Sequence, residues 1–83
     1  MNQPSATKTV FDQIAAAIGA AAPDVVDEIA GLDPDADLFE EFGLDSMDRL
    51  GIMAALSTST GVEIPERDYA SLTTIRQLVA YLT

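Results

Sequence analysis

The fold of this chain is decided by residues 37–56, which read DLFEEFGLDSMDRLGIMAAL. Asp45 and Ser46 both belong to the residue types that cap helix N-termini, and they follow a turn at Gly43. Beyond them, apolar residues recur along a helical run: Met47, Leu50, Met53, Ala54 and Leu56. Because Gly61 is a typical C-terminal cap, the stretch predicts a helix that begins at Asp45 or Ser46 and ends at Gly61.

Shorter signals on either side predict three more helices. Residues 7–22 place apolar side chains at helical spacing, and Pro23 ends that helix. Residues 66–70 are expected to form a short third helix with an acidic first turn. Either Thr73 or Thr74 caps the last helix. The apolar face of this helix carries Ile75, Leu78, Val79 and Leu82.

A long connection joins helix one to helix two. Residues 23–43 mix short apolar groups with proline, glycine and many aspartates, which is typical of an ordered loop with one or two helical turns. No segment shows the two-residue alternation of a strand. The predicted fold is therefore all-α, a small four-helix bundle with three longer helices, a short third helix and a long loop between helices one and two. It forms a single domain over residues 1–83, of which 1–6 are expected to be a flexible N-terminal tail.

The core is expected to draw on apolar residues from every predicted helix. The candidates are Phe11, Ile14, Ile18, Leu50, Leu56, Ile64, Leu72, Ile75, Leu78 and Val79. Phe39 and Phe42 are expected to anchor the long loop to this core.

Composition excludes several classes of function. The 83 residues include no histidine and no cysteine, which removes Ser–His and Cys–His catalysis and the usual zinc sites, so neither an enzyme nor a metal site is expected. The net charge of −10 repels nucleic acid and anionic lipid and favours partners with basic docking patches. No apolar run is long enough for a signal peptide or a membrane span. A cytoplasmic monomer without nucleic-acid or membrane partners is expected.

Ser46 is the candidate functional residue. Its hydroxyl is expected at the surface, at the positive end of a helix dipole, where an attached phosphodiester is electrostatically favourable. The plainer alternative is that Ser46 only caps the helix, which is the commoner role of an isolated Asp-Ser pair. These residues by themselves leave both interpretations open.

Three motifs resemble those of the acyl carrier protein family, which includes the peptidyl carrier domains. They are DLFEEFGLDSM at residues 37–47, GVEIP at 61–65 and LTTI at 72–75. The resemblance extends from about Phe11 to Leu82. It implies that Ser46 carries 4′-phosphopantetheine, a cofactor derived from coenzyme A whose thiol holds acyl or aminoacyl groups as thioesters.

The resemblance also implies a recognition surface and a set of partners. Asp45, Met47, Asp48 and Arg49 would form the surface around the modified serine. The implied partners are a phosphopantetheinyl transferase, an acyl- or aminoacyl-loading enzyme, and a downstream synthase or transferase with basic docking patches. The composition agrees with this role, because a chain without cysteine needs a prosthetic thiol and a chain without histidine leaves a bound thioester undisturbed.

On predicted helix two, this sequence differs from the pattern that fatty-acid carriers usually show. Gly51, Ser57 and Thr58 stand where those carriers usually present acids, and Arg49 adds a positive charge beside the serine. Tyr69 stands where a smaller residue is common and would restrict an acyl pocket. These departures favour a specialised pathway, such as polyketide, peptide or lipid-modifying assembly, over housekeeping fatty-acid synthesis.

Two other functions are compatible with parts of the sequence. Asp33, Asp35 and Asp37 have the alternating spacing that opens an EF-hand calcium loop. However, Leu38 stands where that loop needs glycine, and Leu44 stands where it needs glutamate. The other alternative is an acidic protein-interaction module without a cofactor, which composition does not distinguish from a carrier.

Overall fold

The helices follow one another in the predicted order. The computed structural model describes residues 6–83, with side chains from residue 9 onward. The helical segments are α1 (Ala6–Ala21), a first 3-10 helix (Pro23–Glu28), α2 (Leu38–Glu41), α3 (Ser46–Thr60), a second 3-10 helix (Glu66–Ser71) and α4 (Ile75–Leu82). Residues 6–83 contain no strand. None of the helices in this range has the length and apolar character that a membrane span requires.

The predicted all-α fold is confirmed. α1, α3 and α4 are the three longer helices, with 16, 15 and 8 residues. The short third helix is a 3-10 helix of six residues, and the long connection carries two helical segments of its own. The flexible tail predicted for residues 1–6 lies outside the described residues except for Ala6, which already belongs to α1. The single domain over residues 1–83 stays a prediction.

Capping signals explain where α3 ends and where α4 begins. Gly61 has a φ of +73°, a left-handed conformation that favours glycine, and its N–H donates to the Ser57 carbonyl at 3.0 Å. Thr74 caps α4, since its Oγ1 accepts from the Gln77 N–H at 3.0 Å. Gln77 Oε1 in turn accepts from the Thr74 N–H at 3.1 Å, which completes a capping box.

The core lies where α1 packs against α3, α4 and the first 3-10 helix. The largest fully buried side chains are Ile14, Ile18, Ile29, Leu38, Ile52, Met53, Leu56 and Leu78. Phe39 is also buried, whereas Phe11, Phe42 and Val79 pack against the core and stay partly exposed.

Leu50 was predicted in the core, and that prediction is wrong. Its side chain is 46% exposed, while Ile52 is fully buried in its place. α3 faces the core through Ile52, Met53 and Leu56, which lie close together around the helix axis. Leu50 lies outside this stripe and beside Met47, whose side chain is 73% exposed.

The loop before α3 is held against the start of α4. The Leu38 N–H donates to the Thr73 carbonyl at 2.9 Å, and the Arg76 N–H donates to the Pro34 carbonyl at 3.0 Å. Arg76 Nε also donates to Asp35 Oδ1 at 2.6 Å, and this hydrogen bond lowers the pKa of Asp35. Because both charged side chains are exposed, the backbone hydrogen bonds and the burial of Leu38 hold the loop more than the ion pair does.

Replacing the two leucines of α3 tests which of its faces is buried. Leu56→Ala is expected to lower the free energy of unfolding by about 2–5 kcal/mol, because it opens a cavity in the core. Leu50→Ala is expected to lower it by less than about 1 kcal/mol, since that side chain is half exposed. Urea denaturation followed by circular dichroism measures both. Equal losses would contradict the orientation of α3.

Candidate functional site

Asp45 caps α3. Its Oδ1 accepts from the Asp48 N–H at 2.9 Å, and Asp48 Oδ2 accepts from the Asp45 N–H at 3.3 Å. The two aspartates therefore form a capping box, and Ser46 is the first residue inside the helix. The interpretation of Ser46 as merely the helix cap is wrong, because Asp45 fills that position.

The Ser46 side chain is exposed and free. The residue is exposed to solvent, and its hydroxyl makes no hydrogen bond with any residue in the described range 6–83. It also lies at the positive end of the α3 dipole, where a negatively charged substituent is stabilised. A hydroxyl in this position is accessible to a modifying enzyme and can bear a phosphodiester.

A tight turn between α2 and α3 sets the position of Ser46. Asp37 caps α2, and its Oδ1 accepts from the N–H groups of Phe39 at 3.0 Å and Glu40 at 3.1 Å. Gly43 follows α2 with a φ of +65°, a conformation that other residues rarely adopt. The chain thereby turns within a few residues of the end of α2 and enters α3 at Ser46.

Phe39 contacts the start of α3 on both sides of the serine. Its carbonyl accepts from the Leu44 N–H at 2.7 Å, two residues before Ser46. Its ring lies under the Arg49 guanidinium, with 4.3 Å from Cζ to the ring centroid, three residues after Ser46. The Phe39 side chain is only 4% exposed, so this support is anchored in the core.

A groove of about 400 Å³ opens beside Ser46, between α3 and the second 3-10 helix. It is lined by Ser46, Met47, Arg49, Leu50, Glu66, Tyr69 and Ala70. The exposed apolar side chains of Met47 and Leu50 form much of the α3 wall. Tyr69, partly buried against the core, contributes to the opposite wall. A flexible chain attached at Ser46 can therefore lie along an apolar surface.

Tyr81 links α4 to the second 3-10 helix, which forms the groove wall opposite α3. Its hydroxyl donates to Asp68 Oδ2 at 2.9 Å, in the middle of the second 3-10 helix. This hydrogen bond is the main cause of the raised pKa of Tyr81. The phenol therefore stays protonated and can act as the donor.

The acids of the hypothetical calcium loop have separate structural roles. Asp35 binds Arg76, Asp37 caps α2, and Asp33 Oδ1 accepts from the Asp35 N–H at 2.9 Å. No group of three or more potential ligands that could hold a metal occurs among the described residues.

Every predicted site residue lies in or beside the first turn of α3. Ser46, Met47 and Arg49 share the groove, whereas Asp45 and Asp48 form the cap. Sequence reasoning did not identify Phe39 and Leu50 as parts of this site. No local signal indicates the contact between Phe39 and Arg49, because a turn separates the two residues.

Comparisons with known proteins now identify the family. The family described as a phosphopantetheine attachment site matches residues 10–82. An acyl carrier protein of Streptomyces coelicolor is 32% identical over 75 residues, which cover 90% of this chain and 79% of that protein. The chain belongs to the acyl carrier protein family.

Two further relatives carry similar names. An acyl carrier protein of Bdellovibrio bacteriovorus is 31% identical over 64 residues, 71% of this carrier and 82% of that protein. A mitochondrial acyl carrier protein of Dictyostelium discoideum is 36% identical over 44 residues, 53% of this carrier and 37% of that protein. No solved structure matches significantly.

Family membership confirms several predictions from the sequence. The protein is a carrier and not an enzyme, and its cofactor is covalently attached 4′-phosphopantetheine. Its general partners are a phosphopantetheinyl transferase and synthase enzymes. The start of α3 fits the cofactor, since it combines an exposed, unpaired hydroxyl with an adjoining apolar groove. When attached, the arm supplies the thiol that this cysteine-free chain lacks.

Beyond its first turn, the exposed face of α3 is uncharged. It carries Gly51, Ala54, Ala55, Thr58 and Ser59. Apart from its chain neighbours and the nearby backbone of α3 itself, a Cβ atom added at Gly51 would meet no atom within 4 Å, so packing does not require a glycine there. An interior glycine weakens a helix through its backbone entropy.

Gly51→Ala is therefore expected to raise the free energy of unfolding by about 1 kcal/mol. Gly61→Ala is the matched control, because its open surroundings are similar but its φ of +73° disfavours a side chain. The control is expected to lose roughly 1–2 kcal/mol. Chemical denaturation of both variants measures the difference. A destabilised Gly51→Ala protein would show that the glycine has a structural role.

Proposed function

We propose that Ser46 is the residue to which phosphopantetheine is attached, and that the carrier holds acyl or aminoacyl intermediates there as thioesters. The observation that carries this proposal is the free, exposed hydroxyl of Ser46 at the first position of α3. The Asp45–Asp48 capping box supports it, because the cap satisfies the helix end without the serine. Ser46 Oγ would bond to the phosphorus, and the groove would receive the arm.

The chain's own residues would hold the intermediate without reacting with it. Met47 and Leu50 present apolar surface to an attached chain and reduce its contact with water. No histidine or cysteine is present to attack a thioester. The carrier would therefore deliver the intermediate unchanged to the next enzyme.

The first turn of α3 would also be the surface that partners recognise. Asp45, Met47, Asp48 and Arg49 surround Ser46, and the capping box fixes the positions of the two carboxylates. The general acidity of the chain favours a partner with a basic patch. Met47 adds an exposed apolar contact beside the serine.

We further propose that the carrier serves a specialised biosynthetic pathway. The exposed face of α3 after the first turn carries small, uncharged residues such as Gly51, Ala54 and Thr58, and so it lacks the acids that fatty-acid carriers usually present there. Tyr69 lines the groove, and its bulk would disfavour long acyl chains. A cytoplasmic location and a monomeric state remain predictions.

Attachment is tested by incubating the apo-protein with coenzyme A and a broad-specificity phosphopantetheinyl transferase. Intact mass spectrometry is expected to show the gain of one phosphopantetheine, and Ser46→Ala is expected to abolish it. Ser59→Ala, an exposed serine of the same helix, is the matched control and should be modified normally. An unmodified native protein would instead favour a cofactor-free interaction module.

The pathway is tested by restoring acids to α3. Gly51→Glu combined with Thr58→Glu is expected to speed loading by a malonyl transferase of fatty-acid synthesis, because it adds charge where that enzyme's basic patch would dock. Ala16→Glu with Ala20→Glu adds the same charge at exposed positions of α1 and should change the rate little. Rapid loading of the unaltered carrier by this transferase would count against a specialised pathway.

A further inference from the structure

We propose that Arg49 binds the phosphodiester that joins the arm to Ser46, and so acts as a positioning residue for the root of the arm. The proposal rests on attachment at Ser46. It assigns to Arg49 a contact within the loaded carrier itself, in addition to any contact with partner enzymes.

Arg49 lies within reach of a group on Ser46. Residues three apart on a helix are neighbours on its surface, with about 5–6 Å between their Cβ atoms. Ser46 and Arg49 also line the same groove. A phosphodiester on the Ser46 oxygen would therefore be within reach of the Arg49 side chain without any change in the backbone.

The contact with Phe39 leaves the Arg49 donors available. A cation–π contact uses no hydrogen bond from the guanidinium, and the Arg49 side chain donates none to the residues that the structure describes. The ring of Phe39 is buried and holds the guanidinium at 4.3 Å. Arg49 thus loses less side-chain freedom when it binds a phosphate than a freely moving arginine would.

The charge of Arg49 is not neutralised by a carboxylate. Arg76 pairs with Asp35 at 2.6 Å, but Arg49 makes no ion pair with any residue in the described part of the chain. The nearest acids in sequence, Asp45 and Asp48, bind backbone N–H groups of the cap. An unpaired guanidinium can form two parallel, charge-assisted hydrogen bonds with phosphate oxygens.

The negative net charge of the chain makes a contact between Arg49 and the phosphodiester favourable. The chain has 14 acidic and four basic residues, and a phosphodiester adds another negative charge beside the acidic cap. Repulsion of this kind destabilises a compact state. Arg49 offsets the added charge where it is introduced, and it directs the start of the arm toward the groove.

The test compares Arg49→Gln with Arg67→Gln, which removes the same charge from an exposed position on the second 3-10 helix, outside the groove lining. Each protein is converted to the holo form, and peptide mapping first verifies the arm on Ser46. The phosphorus-31 NMR signal of the phosphodiester is then recorded during a salt titration. The melting temperatures of the apo and holo forms are measured in parallel.

The phosphorus signal is expected to shift in Arg49→Gln and to match the unaltered protein in Arg67→Gln. Salt should move the unaltered signal toward that of Arg49→Gln, because it screens the ion pair. Conversion to the holo form should lower the melting temperature more in Arg49→Gln than in Arg67→Gln. Identical signals and equal apo-to-holo shifts in both variants would overturn the proposal. Failure to find the arm on Ser46 would overturn the proposed attachment itself.

Discussion

The start of α3 depends on Phe39. Its carbonyl receives the Leu44 N–H at 2.7 Å, and its ring supports Arg49 at 4.3 Å, so one buried residue holds the chain on both sides of Ser46. Phe39 can do this because its neighbour Leu38 is fully buried and hydrogen-bonded to Thr73 at the start of α4. The position of the exposed serine is thereby set by the core and not by the flexibility of a surface loop.

The role proposed for Ser46 depends as much on which groups are absent near the serine as on which groups surround it. The Asp45–Asp48 capping box satisfies the helix end and leaves the Ser46 hydroxyl without a partner in the described range. The chain contains no histidine or cysteine. The attachment proposed for Ser46 needs this combination of access and chemical inertness, because the residue would be modified by one enzyme and would then present a reactive thioester to others.

α3 presents two different surfaces to solvent. Its first turn combines charged residues with the exposed apolar side chain of Met47, while its later turns carry small uncharged residues such as Gly51 and Ala54. Electrostatic complementarity governs which partners meet quickly and in which orientation. A carrier with this distribution of charge would be expected to dock through the first turn and the groove.

The sequence by itself determined the helix order, most helix ends and the candidate serine. These features follow from local chemistry: Pro23 ends a helix, Gly61 adopts a left-handed conformation, and Thr74 caps the helix that follows it. Tertiary structure alone decided that Leu50 is half exposed, that Phe39 contacts Arg49, and that a groove adjoins Ser46. These depend on how α3 is rotated against α1 and how the loop folds back, and such contacts join residues whose spacing in the chain carries no signal of their meeting.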